Sequence, residues 1–337
     1  MIIDVPTGDD FKSAGIDFLN LAWDTLISLS TKLKDAEYFY TKLKDAEYFY
    51  NVYYSDENEE VIDQLSSEQY WKQAQRPLST ALSLIQQGTE FLLKGHIATV
   101  SPYLLISGDP SNYPSKSHER NIRFSEFKTI DAQDLVKVYN TVSTDRLPDN
   151  FRQRFEDLRS KRNIIMHTVE PELYIKTKEL FVEILEICHY LIEPNSWIKI
   201  RGQFIQNEPE SVLYSSETRE LYNWLALEIN LVIDLLTPSE NNKYFNFNFN
   251  FNFNKKTRRY FCPSCYSGFR EDYEDEQIPR LAQLIPNEPT SNTIYCLVCN
   301  ESYEVLREDC TAEDCLGNVI DPDDGTCLTC GSDNFRD

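Results

Sequence analysis

Basic residues, histidines and long apolar runs are all scarce in this chain of 337 residues. It has 33 lysines and arginines against 55 aspartates and glutamates, which gives a formal net charge of −22. A protein that coats nucleic acid through a broad basic surface is therefore excluded, although one local positive groove is not. No stretch approaches the ~18–20 apolar residues that a membrane helix needs.

The amino terminus also lacks the basic flank and apolar run of a signal peptide. We therefore expect a soluble, cytoplasmic protein with no membrane partner. Thiols stay reduced in the cytoplasm, so paired cysteines are expected to bind metal rather than to form disulfides.

Helical periodicity dominates the chain before residue 244. Apolar residues at helical spacing predict helices at residues 11–30, 66–96, 131–143, 149–167, 172–192 and 216–236. Turn-forming residues make 108–130 a long loop, and strand signals are scarce. The sequence predicts a helical bundle for this part of the chain.

Two perfect repeats interrupt these patterns. Residues 31–40 and 41–50 both read TKLKDAEYFY, and residues 245–254 are five consecutive Phe-Asn units. We interpret the first repeat as a duplication in a helix extension or a loop. The alternating second repeat is compatible with a flexible linker or an extra strand.

These landmarks predict four segments. They are an N-terminal helical extension at 1–65, a helical bundle at 66–243, a linker at 244–257 and a cysteine-rich module at 258–337.

The module holds eight of the nine cysteines, in four pairs. Three pairs are separated by two residues and one by four: Cys262/Cys265, Cys296/Cys299, Cys310/Cys315 and Cys327/Cys330. Thiolate knuckles of this kind suit tetrahedral zinc. The overall fold class predicted is therefore mainly α, with a helical bundle followed by a small double zinc ribbon of the four-cysteine type. Two structural Zn²⁺ ions are expected, because eight thiolates make two closed shells.

We prefer sequential grouping, in which the first two pairs bind one ion and the last two bind the other. An interleaved cross-brace is the alternative. Gly268, Gly325 and Gly331 stand where knuckle turns commonly need positive φ. The module has 17 acidic and 6 basic residues, a net charge of 6 − 17 = −11. That charge favours a protein partner or a very local RNA contact.

Three further residues have ordinary structural explanations. Cys188 lies in an apolar helical pattern and is expected in the core. His96 is expected to cap a helix end, and His118 is expected to be solvated in the polar loop.

One cluster in the helical part is suited to phosphodiester chemistry. Asn163 and His167 are four residues apart on a predicted helix and share a face, and Arg162 precedes them directly. RNA supplies its own 2′-OH nucleophile, a histidine can move a proton near neutral pH, and an arginine can hold phosphate oxygens. Taken by themselves, such residues are more often a surface cluster or a helix cap.

The run Arg162-Asn163-x3-His167 resembles the R-x4–6-H motif of HEPN-domain proteins. The segment from Gln87 to Gly95, with its E-x-x-L-K pattern at Glu90, resembles an early helix of the same superfamily. The resemblance covers roughly residues 66–195. It implies a dimeric helical bundle in which two motifs share one cleft.

The resemblance also implies a role for each motif residue. Arg162 would stabilise the phosphate, His167 would act as general acid and base, and Asn163 would orient one of them. Glu90 would be a supporting residue, although an ion pair with Lys94 explains it more simply.

We therefore expect a metal-independent endoribonuclease of a toxin or antiviral defence system. Its partners would be an RNA substrate, a second copy of the chain, and a protein partner or antitoxin that the zinc ribbons contact. The alternative is a non-catalytic helical dimerisation protein with a zinc-ribbon docking module. A DNA-binding transcription-associated ribbon is disfavoured by the charge.

Overall fold

The structure is a computed structural model in which the chain forms two compact units, Met1–Ile192 and Glu193–Asp337. It describes residues 1–45, 68–115, 119–167, 174–207, 218–247, 259–269, 278–286, 288 and 290–334. The fold is mainly helical, with two four-cysteine clusters in the second unit, which confirms the predicted fold class.

Five long helices build the described part of the first unit. They are α1 (Gly8–Asp45), α2 (Gln75–Val100), α3 (Ala132–Val142), α4 (Asp149–His167) and α5 (Thr177–Leu191). Residues 68–73 form a further helical turn before α2. The predicted helices are present, because their apolar stripes supply the buried faces.

The predicted loop at 108–130 contains short elements. Strand β2 (Ile122–Arg123) pairs in parallel with β1 (Ile2–Ile3), and 3-10 turns occur at Pro110–Asn112 and Phe124–Glu126. A two-residue parallel pairing has no sequence period of its own, which explains why the sequence did not indicate it.

Helices α1 and α2 pack closely through two glycine pairs. A Cβ added at Gly15 would lie 2.9 Å from the Gly88 carbonyl oxygen, and one added at Gly8 would lie 2.7 Å from the Gly95 carbonyl oxygen. The pairing is antiparallel, and each helix repeats its glycine after seven residues. The absent side chains allow the two backbones to approach each other directly.

The rest of this core is apolar and aromatic. Trp23 is fully buried, and its ring makes an edge-to-face contact with that of Phe181 at 4.7 Å between centroids. Cys188 is also buried, in the core position predicted for it.

Among the residues of the second unit that the structure describes, four helices and a small sheet are present. The helices are α6 (Trp197–Asn207), α7 (Thr218–Leu235), α8 (Pro238–Phe245) and α9 (Pro263–Phe269). Strands β3 (Ala282–Leu284), β4 (Thr293–Cys296) and β5 (Ser302–Glu304) form an antiparallel sheet in the order β3-β4-β5.

Helix α8 has a start signal in the sequence. The Thr237 hydroxyl accepts from the backbone N–H of Glu240, whose carboxylate accepts from the N–H of Thr237, and Pro238 occupies the first turn. This T-P-S-E run is a capping box with proline at N1.

The compact units divide the chain at 192/193 rather than near residue 244. Helices α6, α7 and α8 therefore belong to the unit that holds the cysteines. Phe245 and Phe247 are buried there, so the Phe-Asn repeat starts inside folded structure. Residues 248–254 of that repeat lie outside the described residues.

Helix α1 runs from Gly8 through the first decapeptide copy and into the second, to Asp45. The described part of the duplication is thus a helix extension. No helix among the residues described combines the length and apolar character needed to cross a membrane.

Candidate functional site

The eight paired cysteines meet in two clusters in sequential order. In the first, the Sγ atoms of Cys262 and Cys299 are 3.7 Å apart, and those of Cys265 and Cys296 are 3.9 Å apart. All four sulfurs lie within 4.8 Å of one another. The interleaved cross-brace is not what the structure has.

The second cluster repeats this geometry. The Sγ atoms of Cys310 and Cys330 are 3.7 Å apart, and those of Cys315 and Cys327 are 3.9 Å apart. These four also lie within 4.8 Å of one another.

The separations identify the kind of ligand that the clusters fit. A disulfide would bring two sulfurs to about 2.05 Å. Four sulfurs at about 2.3 Å from a central ion form a tetrahedron with edges of about 3.8 Å, which matches the observed distances. Each cluster can therefore hold one tetrahedrally coordinated metal ion.

Backbone amides support the sulfurs of the first three cysteine pairs. Four N–H groups point at a cysteine Sγ over 3.3–3.5 Å: Cys265 to Cys262, Val298 to Cys296, Ala312 to Cys310 and Gly317 to Cys315. In addition, the Tyr303 hydroxyl lies 3.6 Å from Cys299 Sγ and can donate to its thiolate. Such outer contacts orient the ligands.

Positive φ angles follow two of the knuckles. Asn300 has φ 60° directly after Cys299, and Gly331 has φ 87° directly after Cys330. Gly325 also has a positive φ, of 75°, as predicted. The expectation for Gly268 was wrong: this residue lies inside α9, because the first knuckle opens a helix instead of a turn.

Crowding makes the ionisation of the four thiols unequal. Neighbouring cysteine sulfurs, that of Cys262 first, hold the pKa of Cys299 far below its ordinary value by hydrogen bonding. Hydrogen bonding with Cys262 is likewise the largest cause that raises the pKa of Cys265 and of Cys296 well above that value. In the second cluster, burial raises the pKa of Cys327 to about 11. Metal binding requires all four thiolates, so it must release protons.

A backbone hydrogen bond links the two clusters. The N–H of Phe261, just before Cys262, donates to the carbonyl of Leu328, just after Cys327, at 2.8 Å. Both linking residues are fully buried. The Phe261 ring stacks on Tyr266 at 4.3 Å and lies under the guanidinium of Arg280. The two cysteine clusters therefore share one small core.

The predicted catalytic residues lie at the end of α4. Arg162 Nη1 donates to Asn163 Oδ1 at 3.2 Å. His167 is the last residue of the helix, is exposed, and makes no hydrogen bond with any residue that the structure describes. The structure thus places the three side chains within the last two turns of one helix.

Glu90 forms the ion pair that was the simpler of its two expected roles. On α2 it accepts a hydrogen bond from Gln86 and forms an ion pair with Lys94 over 3.9 Å. Its carboxylate is thus occupied within its own helix.

A groove of about 540 Å³ lies between α3 and α4, in the first unit. Its described lining includes three basic side chains, Lys137, Arg146 and Arg152, and one acidic one, Glu156. Arg152 is partly neutralised, because it lies 3.4 Å from both Asp149 and Glu156. Sequence reasoning missed this groove, although a local excess of basic residues in so acidic a chain was its signal.

His96 has a structural partner. Its Nε2 lies 2.6 Å from the carbonyl oxygen of Leu191, the last residue of α5. Burial lowers the pKa of His96 below its ordinary value. It therefore caps the end of a neighbouring helix, while His118 lies outside the described residues.

Comparisons with models of protein families, with curated proteins and with solved structures gave no match to this chain.

Proposed function

We propose that this protein is a metal-independent endoribonuclease of the HEPN type. The observation that carries the proposal is the grouping of Arg162, Asn163 and His167 at the end of α4, where the exposed histidine has no partner among the described residues. The basic groove lies on the N-terminal half of the same helix. At 1.5 Å per residue, Arg152 is about 22 Å from His167 along the axis, a span that a short single strand of RNA can bridge.

The reaction needs only groups that RNA and this chain supply. His167 takes the proton of the 2′-OH as the 2′ oxygen attacks phosphorus, and a protonated histidine gives a proton to the departing 5′ oxygen. The P–O2′ bond forms, the P–O5′ bond breaks, and the products carry a 2′,3′-cyclic phosphate and a 5′-OH. Arg162 stabilises the charge on the non-bridging oxygens, and Asn163 orients the guanidinium.

A homodimer would complete the site. One exposed histidine cannot serve as base and acid in the same step, whereas a second copy would bring a second Arg162 and His167 to the same cleft. Dimerisation through the helical bundle is part of the proposal.

Zinc is the proposed ion in both cysteine clusters. All-thiolate tetrahedral sites that use every ligand position are typical of structural zinc. The module would then be a rigid docking surface for a protein partner or antitoxin. Its net charge of 6 − 17 = −11 makes a broad RNA-binding surface unfavourable.

In a cell, this combination fits a cytoplasmic toxin or antiviral effector. Transfer RNAs and other structured RNAs with single-stranded loops are natural substrates to test, because their 2′-OH groups are free to align for attack.

The test compares purified wild-type dimer with Arg162→Ala, His167→Ala and the control Arg159→Ala on a panel of RNAs with chelator present. Arg159 lies on the same helix outside the motif. We expect cleavage to fall at least about 100-fold in the first two variants and by no more than a few-fold in the control. Equal cleavage by all four proteins, or none by wild type, would falsify the proposal.

The second candidate is a non-catalytic interaction protein. It is favoured by the ion pair between Glu90 and Lys94, which occupies one expected supporting group. Under this candidate the dimer forms and the module captures a partner, while all RNAs stay intact.

A further inference from the structure

A cavity of about 500 Å³ lies inside the second unit. Ile198 and Gly202 of α6 and Leu225 of α7 form one side, and the knuckle residues Val298 and Asn300 form the other. Its volume falls within the range of roughly 300–1,000 Å³ that small-molecule sites occupy. It is separate from the helix-end cluster, which belongs to the first unit.

The charge of the cavity differs from that of the protein. No aspartate or glutamate is found in its described lining, although such residues make up 55 of the 337 in the chain. Its cation is Lys199, which is exposed and forms no ion pair with the part of the chain that the structure describes. The lining also includes the metal-ligand position Cys299, so an anionic group would be attracted to Lys199 and repelled at the knuckle.

Amide side chains are unusually frequent in the same lining. Six asparagines and glutamines line the cavity, and the Gln283 side chain among them already donates to the Asn246 carbonyl at 2.9 Å: Asn195, Gln203, Gln206, Asn246, Gln283 and Asn300. An amide offers both a donor and an acceptor, which is the pattern needed to pair with the edge of a nucleobase.

The Asn300 side chain is held in position to contact the edge of a nucleobase. The Tyr295 hydroxyl donates to its Oδ1, and its backbone has φ 60° directly after Cys299. Its backbone N–H donates to the Cys296 carbonyl, whereas its side-chain Nδ2 has no hydrogen-bond acceptor among the residues described and is available as a donor. The knuckle thus fixes one polar group at the cavity.

Apolar and aromatic side chains complete the lining. Leu225, Phe245 and Leu297 are buried residues of the lining, and Tyr222 and Tyr295 add aromatic rings to it. Unpaired bases commonly stack on tyrosine rings while side chains read their edges.

We propose that this cavity binds a nucleoside phosphate, with the base against the tyrosine and amide groups and the phosphate at Lys199. The ligand chemistry is the same whether the nucleotide is free or is one unpaired residue of an RNA strand. The inference deepens the proposed function, on which it rests, by giving the second unit a way to recognise RNA or a nucleotide signal. It needs no cleavage at Arg162 or His167.

The experiment measures binding to the full-length, metal-loaded protein by calorimetry and by ligand-observed NMR. The probes are the four nucleoside 5′-monophosphates, adenosine, inorganic phosphate and a short single-stranded 2′-O-methyl RNA. Because 2′-O-methyl RNA lacks the nucleophile, binding is measured even if the chain is a nuclease. Failure here would leave the nuclease test unaffected, and the reverse also holds.

Two variants and one control separate the site from a general charge effect. Lys199→Glu is expected to weaken binding of a monophosphate at least about tenfold, and adenosine binding much less. Asn300→Gly keeps the positive φ and removes the amide, so it should weaken binding of the preferred base by about three- to tenfold. Lys128→Glu makes the same charge change in the first unit and should leave binding unchanged.

Competition then identifies the source of the nucleotide. If RNA binds at least about tenfold more tightly than every monophosphate and Lys199→Glu weakens it, the cavity holds a residue of an RNA strand. If a monophosphate binds as tightly as RNA, the ligand is a free nucleotide. The proposal is overturned if neither probe binds at millimolar concentration, or if Lys199→Glu and Lys128→Glu bind alike.

Discussion

Gly15 and Gly88 each face the backbone carbonyl of the other, and a Cβ added at either would lie 2.9 Å from that oxygen. Since ordinary Cβ contacts are longer, α1 and α2 can adopt this spacing only with glycine at both positions. The arrangement recurs one heptad away, at Gly8 and Gly95.

Substitution at this contact should destabilise the first unit. Gly88→Ala gains up to about 1 kcal/mol of helix propensity but must push two backbones apart, at a cost of about 1–3 kcal/mol. We expect a net loss, and a larger one for Gly88→Leu. Thermal or urea unfolding measures it, with Gly108→Ala as control because nothing lies within 4 Å of that position. Equal stability of Gly88→Leu and wild type would contradict the packing described.

Metal removal should unfold the cysteine module and leave the first unit folded. The module has a small core, and its thiolates repel one another without a cation. Native mass spectrometry is expected to find two metal ions in wild type, one in Cys262→Ser and two in Cys188→Ser. Both cysteines are buried, so the second variant controls for loss of a buried thiol. An unchanged ion count in Cys262→Ser would refute the assignment.

The ion pair between α6 and α7 should contribute more to the free energy of unfolding than any exposed ion pair. The Arg201 and Glu228 side chains are 4% and 14% exposed and are joined by two hydrogen bonds of 2.9 and 3.0 Å. Arg201→Ala leaves a buried carboxylate without its main partner, so we expect a loss of about 3–5 kcal/mol.

Lys128→Ala, which removes an exposed pair with Asp131, is the control and should change stability by less than about 1 kcal/mol. Chemical denaturation of the two variants makes the comparison. If both variants lost a similar amount of stability, the buried pair would contribute no more than an exposed pair.

Stability of the first unit should fall in mild acid partly through His96. Burial lowers its pKa in the folded state below 6.5, so the unfolded chain binds the proton first as pH falls. The contribution is complete above about pH 6.5 and is lost as pH falls through the lower folded value.

His96→Gln keeps a donor for the Leu191 carbonyl but does not titrate. Between pH 7 and 5, wild type should therefore lose more stability than this variant in thermal unfolding. Parallel pH profiles for the two proteins would exclude His96 as the cause.

Periodicity predicted the long helices because the apolar residues of their buried faces recur at helical spacing in the sequence. Helix α4 was predicted at 149–167 and begins and ends at those residues. Helix α6 was missed because its buried face includes Arg201 and Gly202 follows in mid-helix, so its apolar stripe is interrupted. Helix α8 was missed although Thr237 and Glu240 form a recognisable capping box.

The cysteines could be predicted as metal ligands from the sequence, but which four of them bind the same ion could not. Spacing identifies a knuckle, whereas grouping depends on which knuckles the chain brings together, and only the fold decides that. The amide-lined cavity had no sequence signal, because Lys199 and Asn300 are far apart in the chain and line one cavity only in the folded unit. The roles of Arg162 and His167 stay predictions.

The bond between Phe261 and Leu328 also bears on the order in which the module assembles. The first cluster must close a loop whose ends, Cys265 and Cys296, are 31 positions apart in sequence, whereas Cys315 and Cys327 of the second are only 12 positions apart. The longer loop costs about 0.8 kcal/mol more in chain entropy, so the second cluster should close first about four times as often. Once closed, it fixes the Leu328 carbonyl that receives the Phe261 amide. The second cluster would thus form first and position the first cluster. Refolding of the module would proceed from the C-terminal cluster toward α9.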